Sequence, residues 1–150
     1  MDVGFTELEE RTWRAFLSAN VQLLERLDHE LQQRSHLSLT DFEILSELAA
    51  APGRRLRMSE LAERVLVSRS RLTYRVDRLA EVSYVTREEC EDDRRGLFAI
   101  LTDTGTEALE AATDGYLADV RTWFFDLLDL DELDVVNRVM ARMDAKLSSN

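Results

Sequence analysis

The sequence predicts a mainly α fold with a small β-hairpin, and three observations carry that expectation. Apolar residues recur at spacings of three and four over long stretches near both ends. The single proline falls between two such stretches, and one segment past the middle alternates with period two. At 150 residues the chain is expected to fold as one domain, 1–150, and to bury about two-thirds of the surface its extended form exposes. Apolar residues make up 45% and charged residues 33%, with no apolar run of the roughly eighteen residues a bilayer span needs, so no membrane partner is expected. Met1 to Glu10 carry acids and neither a basic nor an apolar leader region, which makes a soluble, cytoplasmic protein the expectation. The lone cysteine, Cys90, has no internal partner and agrees with a reducing compartment.

From Glu7 to Gln33 there is neither proline nor glycine, and Leu8, Trp13, Phe16, Leu17, Leu23, Leu24, Leu27 and Leu31 set a helical rhythm. After a break at Ser35 to Ser38, Thr40 with Glu43 three residues on has the pattern of a capping box and is expected to open a helix through Ala50. Pro52 and Gly53 end it. Ser59 is expected to cap Glu60 to Val65, and Ser68 to cap Arg69 to about Val82. Tyr84, Thr86 and Glu88 then alternate with Val85 and Arg87, and Leu97 to Leu101 is a short apolar run. Together they predict a hairpin with a charged tip from Cys90 to Gly96. Beyond Thr102, Thr104 and Gly105 helix resumes from about Thr106 to Leu128, and a last helix is expected from Asp131 to Leu147. In it Leu133, Val136, Met140, Met143 and Leu147 step by three, four, three and four, a seam suited to a partner helix.

The net charge of −11 argues against nucleic acid until its distribution is read. From Arg54 to Arg95 eleven arginines face nine acids, a local +2 inside a body that sums to −13, and from Arg69 to Arg78 four arginines face Asp77 alone. All eleven are arginine, whose planar fork suits phosphates and guanine edges. Within Leu61 to Leu79 two short helices meet at a tight turn, Leu66 and Val67. Leu72, Val76 and Leu79 give the second helix one apolar stripe, and Arg71, Arg75 and Arg78 repeat that spacing about 100° around the axis. Ser68, Arg69, Ser70 and Thr73 complete an exposed N-terminal side where hydroxyls and free N–H groups suit phosphate oxygens. This is the pattern of a recognition helix in the major groove of double-stranded DNA. The hairpin after it is a wing whose Arg94 and Arg95 can follow the backbone or the minor groove.

These stretches, VSRSRLTYRVDRL from Val67 to Leu79 and DRRGLFAILTDTG from Asp93 to Gly105, resemble the MarR-type (multiple antibiotic resistance regulator) winged helix-turn-helix repressors, and the resemblance extends over nearly the whole chain. It implies that Ser68, Arg69, Ser70, Arg71, Thr73, Tyr74 and Arg75 are recognition-helix residues. Arg95 then looks like the wing arginine and Asp93 like the acid that orients it. It also implies a winged core over about 38–102 and homodimerisation through the helices at about 5–34 and 106–147, which matches the apolar seam. Ser83 departs from the family, which usually has glycine there, so the local turn is expected to differ.

The expected function is therefore that of a sequence-specific transcriptional regulator, a ligand-responsive repressor binding an inverted repeat as a homodimer. The alternative is a protein-interaction module that keeps the fold without reading DNA. No glycine-rich phosphate loop, nucleophile elbow or paired CxxC points to an enzyme. His29 and His36 are a thin metal-ligand set, and no metal or cofactor is expected. Cys90, beside Glu88, Glu89, Glu91 and Asp92, sits among charges that work against the thiolate a redox sensor needs. Trp13, Phe16, Trp123, Phe124 and Phe125 suit core or dimer packing, and they are also the candidates for lining a pocket for a small aromatic effector.

Overall fold

Capping side chains set the starts of the long helices in the computed structural model, which describes residues 4–65 and 67–149, the side chains of residues 93–95 excepted. Helix α1, Glu7–Ser35, begins on Thr6, whose hydroxyl accepts from the Glu9 N–H while the Glu9 carboxylate accepts from the Thr6 N–H. It closes on His36 in the left-handed region, φ 55°. Helix α2, Leu39–Ala50, starts earlier than its sequence suggests. Two capping patterns overlap there, Ser38 with Asp41 and Thr40 with Glu43, and the first forms: the Asp41 N–H donates to Ser38 Oγ at 3.0 Å and the Ser38 N–H to Asp41 Oδ2 at 2.9 Å. Asp28 of α1 favours the first by accepting the Leu39 N–H at 2.8 Å, so the chain is already helical at Leu39, one residue before Thr40.

A short strand, β1 (Arg55–Arg57), precedes α3 (Met58–Val65), so helix starts one residue before Ser59, the expected cap. Helix α4, Arg69–Glu81, begins on Ser68 as expected. It is followed by β2 (Val85–Cys90) and β3 (Asp93–Leu101), and the sheet runs antiparallel in the order β1-β3-β2, three strands rather than a lone hairpin. The tip is the two-residue turn Glu91–Asp92, so Cys90 lies at the end of a strand and is buried, and Gly96 lies within β3. Helix α5, Asp103–Trp123, stops five residues short of Leu128 and gives way to a 3-10 turn, Phe125–Leu127. Asp129 with Glu132 then caps α6, Leu130–Ser148.

Contacts group the chain into one unit through Tyr116 and another from Leu117. The first holds the core: Leu31, Ile44, Leu45, Leu48, Leu61, Leu72, Val76 and Val85 are almost fully enclosed. Gly105 sits where no side chain fits, because a Cβ there would stand 2.1 Å from the Tyr84 carbonyl oxygen. Thr102 secures the same corner, donating its hydroxyl to the Ser83 carbonyl at 2.6 Å and accepting the Gly105 N–H at 2.9 Å. In the second unit α6 buries no residue.

The turn after α4 is built on Ser83, the position at which the sequence departs from the family. Ser83 takes the left-handed conformation itself, φ 62°, and the paired bonds of a glycine-ended helix are present, Ser83 N–H to Ala80 and Tyr84 N–H to Leu79.

Candidate nucleic-acid interface

Two short helices of opposite role meet at the interface. Helix α3 buries Leu61, Ala62 and Val65, and α4 buries Leu72, Val76 and Leu79, the stripe its spacing predicts. Of the turn between them Leu66 lies outside the described residues, and the Val67 N–H bonds back to the Ala62 carbonyl at 3.3 Å. Burial of that stripe leaves Ser68, Arg69, Ser70, Arg71, Thr73 and Tyr74 exposed on the opposite side, with Tyr74 59% accessible. Ser68 Oγ accepts the Arg71 N–H at 3.2 Å, fixing the first turn, and Thr73 donates to the Arg69 carbonyl at 2.9 Å.

What separates the arginines is whether an acid already holds them. Arg75, a sequence-predicted base reader, donates from Nε to Asp41 Oδ1 at 2.8 Å, from Nη2 to Asp41 Oδ2, and from Nη2 to Ser38 Oγ at 3.0 Å. Asp41 is a buried charged residue, 4% exposed, and its hydrogen bond raises the Arg75 guanidinium above the ordinary arginine value. Arg78 pairs with Glu81 at 2.9 Å and Arg87 with Asp77. Arg54 is held by Asp103 and Thr106, both at 3.0 Å, Arg64 by Glu47 at 3.4 Å, and Arg55 approaches Glu88 at 3.9 Å. Among the described side chains of this segment, the guanidiniums of Arg57, Arg69 and Arg71 have no carboxylate within 4 Å.

Arg57 and Arg69 line one groove of about 400 Å³ with Ser59, Thr73, Leu72 and the wing residues Gly96 and Leu97. Sequence reading missed Arg57, since a single arginine in a three-residue strand has no periodic signal. The wing candidates Asp93, Arg94 and Arg95 fall on the first residues of β3, and their side chains lie outside the described ones.

The other candidates separate by unit. Trp13 stacks on Phe16 at 5.8 Å in the first unit, and Phe124 meets Phe125 edge-on at 5.2 Å in the second. His29 is exposed and His36 ends α1, and among the described residues no three His, Cys, Asp or Glu side chains gather as a metal site. Nor, among those residues, is any helix long and apolar enough to cross a membrane.

The sequence profile described as the MarR family matches residues 36–96, which contain α2, α3, α4 and the hairpin tip. The chain is similar to AbsC, a MarR family transcriptional regulator from Streptomyces coelicolor: 35% identity, 98% of this chain and 99% of that one covered, TM-score 0.92. It is also similar to Sco3205, a MarR family transcriptional regulator from the same organism solved in complex with DNA, at 38% identity, with 95% and 89% covered and a TM-score of 0.91. The HTH-type transcriptional repressor YetL of Bacillus subtilis is 30% identical over 112 residues, covering 75% of this chain and 66% of its own.

Proposed function

The chain belongs to the MarR family of transcriptional regulators, and on that premise we propose that it is a ligand-responsive repressor binding an inverted repeat in double-stranded DNA as a homodimer. The observation that carries the reading is the pair of unneutralised arginines, Arg69 and Arg71, on the exposed first turn of α4. Such side chains reach base edges and phosphates from the N-terminal end of a recognition helix: Arg71 faces the bases, while Arg69, Ser68, Ser70, Thr73 and Tyr74 meet the phosphates beside them. Asp93, Arg94 and Arg95 serve the wing. Arg75 and Arg78 shape the helix and its setting rather than touch bases. The DNA complex of Sco3205 supports the DNA assignment, and the name of YetL supports repression.

The residues that each unit leaves uncovered support the dimer. Helix α1 exposes Leu8, Trp13, Leu17, Val21 and Leu24, and α6 exposes Val135, Val139, Met140, Met143 and Leu147. A second copy covers them and sets two α4 helices about one DNA turn apart, ~34 Å. A small aromatic effector acts by changing that separation. The winged core is assigned to about 38–102 and the dimerisation helices to about 5–34 and 106–147.

The net charge of −11 favours a second reading, a protein-interaction module that no longer reads DNA. Selection from random duplexes with the purified chain separates the two. Enrichment of an inverted repeat is the expected result, and an unenriched pool after repeated rounds contradicts the repressor reading and favours the module.

A further inference from the structure

Arg55 and Arg57 flank the buried Leu56 on β1, two residues apart, and both approach the Phe98 ring, at 3.9 and 5.6 Å. Arg55 has Glu88 beside it, whereas the Arg57 guanidinium has no carboxylate within 4 Å among the described residues. Arg57 also stands immediately before α3, where its N–H donates to Glu60 Oε2 at 3.3 Å. Serine, threonine, aspartate or asparagine is usual at such a position because each brings an oxygen for the first-turn N–H groups, and a guanidinium brings only donors. Arg57 therefore does not cap α3. Its side chain lies between two concavities of opposite character. One is walled by Glu88, Glu89, Glu91 and Asp92, and the other, shared with Arg69, Ser59 and Thr73, has no acid among its described lining residues.

We propose that Arg57 and Arg69 form a seat for one phosphodiester of the DNA backbone, in the groove between the first turn of α4 and the wing strand at Gly96 and Leu97. Two guanidiniums with no acidic partner among the described residues present forked donors, and Ser59, Leu72, Thr73 and Leu97 complete the lining. Phe98 props the Arg57 guanidinium, which reduces the freedom lost when a phosphate is gripped. The seat rests on the reading of α4 as the DNA-facing helix. It deepens that reading by assigning a contact that fixes register and carries no base preference, distinct from the role of Arg71.

The test is the salt dependence of binding by the full chain, on the selected operator and on a scrambled duplex. Arg57→Gln is expected to weaken both by the same factor and to make the slope of log affinity against log salt shallower by about 1, with Arg57→Lys restoring the slope. Arg69→Gln reports on the same seat from the other side, and Arg55→Gln, which also loses a ring contact, should leave the slope unchanged. An unchanged slope and affinity in Arg57→Gln while the wild type binds overturns the seat and leaves the DNA reading standing. A loss confined to the operator overturns it in favour of a base contact. Inorganic phosphate titrated without DNA supplies the remaining arm: saturable binding that Arg57→Gln abolishes, with the DNA slope intact, overturns the backbone assignment in favour of a free anion. Failure of the wild type to bind any duplex sinks both readings together.

Discussion

Along α4 the four arginines divide at Thr73. Arg69 and Arg71, in the first turn, have no acidic partner among the described residues, whereas Arg75 is clasped by Asp41 and Ser38 and Arg78 by Glu81. Sequence spacing puts Arg71, Arg75 and Arg78 on one stripe, and nothing in that spacing distinguishes them. The structure splits the stripe by what stands opposite each residue. The N-terminus of α2 carries its carboxylate against the middle of α4, so the same side chain that faces solvent at position 71 is a tether at position 75. Charge is available to a ligand only where the fold has not already used it.

Breaking the tether should give the largest effect on folding. Arg75→Ala leaves Asp41 buried without its cation, and removing one partner of a buried pair costs about 3–5 kcal/mol. Urea unfolding should show a loss of that size, against less than about 0.5 kcal/mol for the exposed Arg71→Ala. Equal losses in the two variants would erase the division drawn here.

The end of α4 offers a change in the other direction. Ser83 holds the left-handed conformation that costs a residue with a side chain roughly 1 kcal/mol or more, and Ser83→Gly should stabilise the protein by about that amount. A melting temperature that fails to rise would mean the serine makes up its strain elsewhere in the corner formed with Thr102.

The smallest effect sharpens the contrast on α2. Asp41 has a cation, whereas Glu43, two residues on, has none among the described contacts: burial, then the neighbouring Glu47, pushes its carboxyl up from 4.5. A carboxyl whose folded pKa is raised contributes stability that is complete below its unfolded value and lost as pH rises through the folded one. Glu43→Gln should therefore raise the melting temperature slightly at pH 7 and leave it unchanged near pH 4. A benefit that grows on acidification would contradict the assigned cause.

Helix positions were largely legible because caps and apolar spacing are local: Ser68 and the stripe Leu72, Val76 and Leu79 stand where the residues place them. The start of α2 was misread because Ser38 and Thr40 offer the same pattern and a residue of another helix, Asp28, chooses between them. Strand β1 was invisible at three residues, too short for a period to register and paired to β3 some forty positions on. The exposed face of α4 was legible, but the partners of its arginines were not. Asp41 lies 34 positions from Arg75, and no local rule connects them.

Arg71, on the first turn of α4 and without an acidic partner among the described residues, is assigned a base contact, and a comparison with the paired Arg78 decides it. Affinities of Arg71→Ala and Arg78→Ala are measured on the selected operator and on single-base variants of each half-site. Arg71→Ala should flatten the preference at one base position by about 1–3 kcal/mol, the discrimination a bidentate base contact gives, while Arg78→Ala keeps the wild-type profile. If both variants keep the profile, or if Arg78→Ala loses it and Arg71→Ala does not, pairing within the protein does not mark which arginines read the sequence.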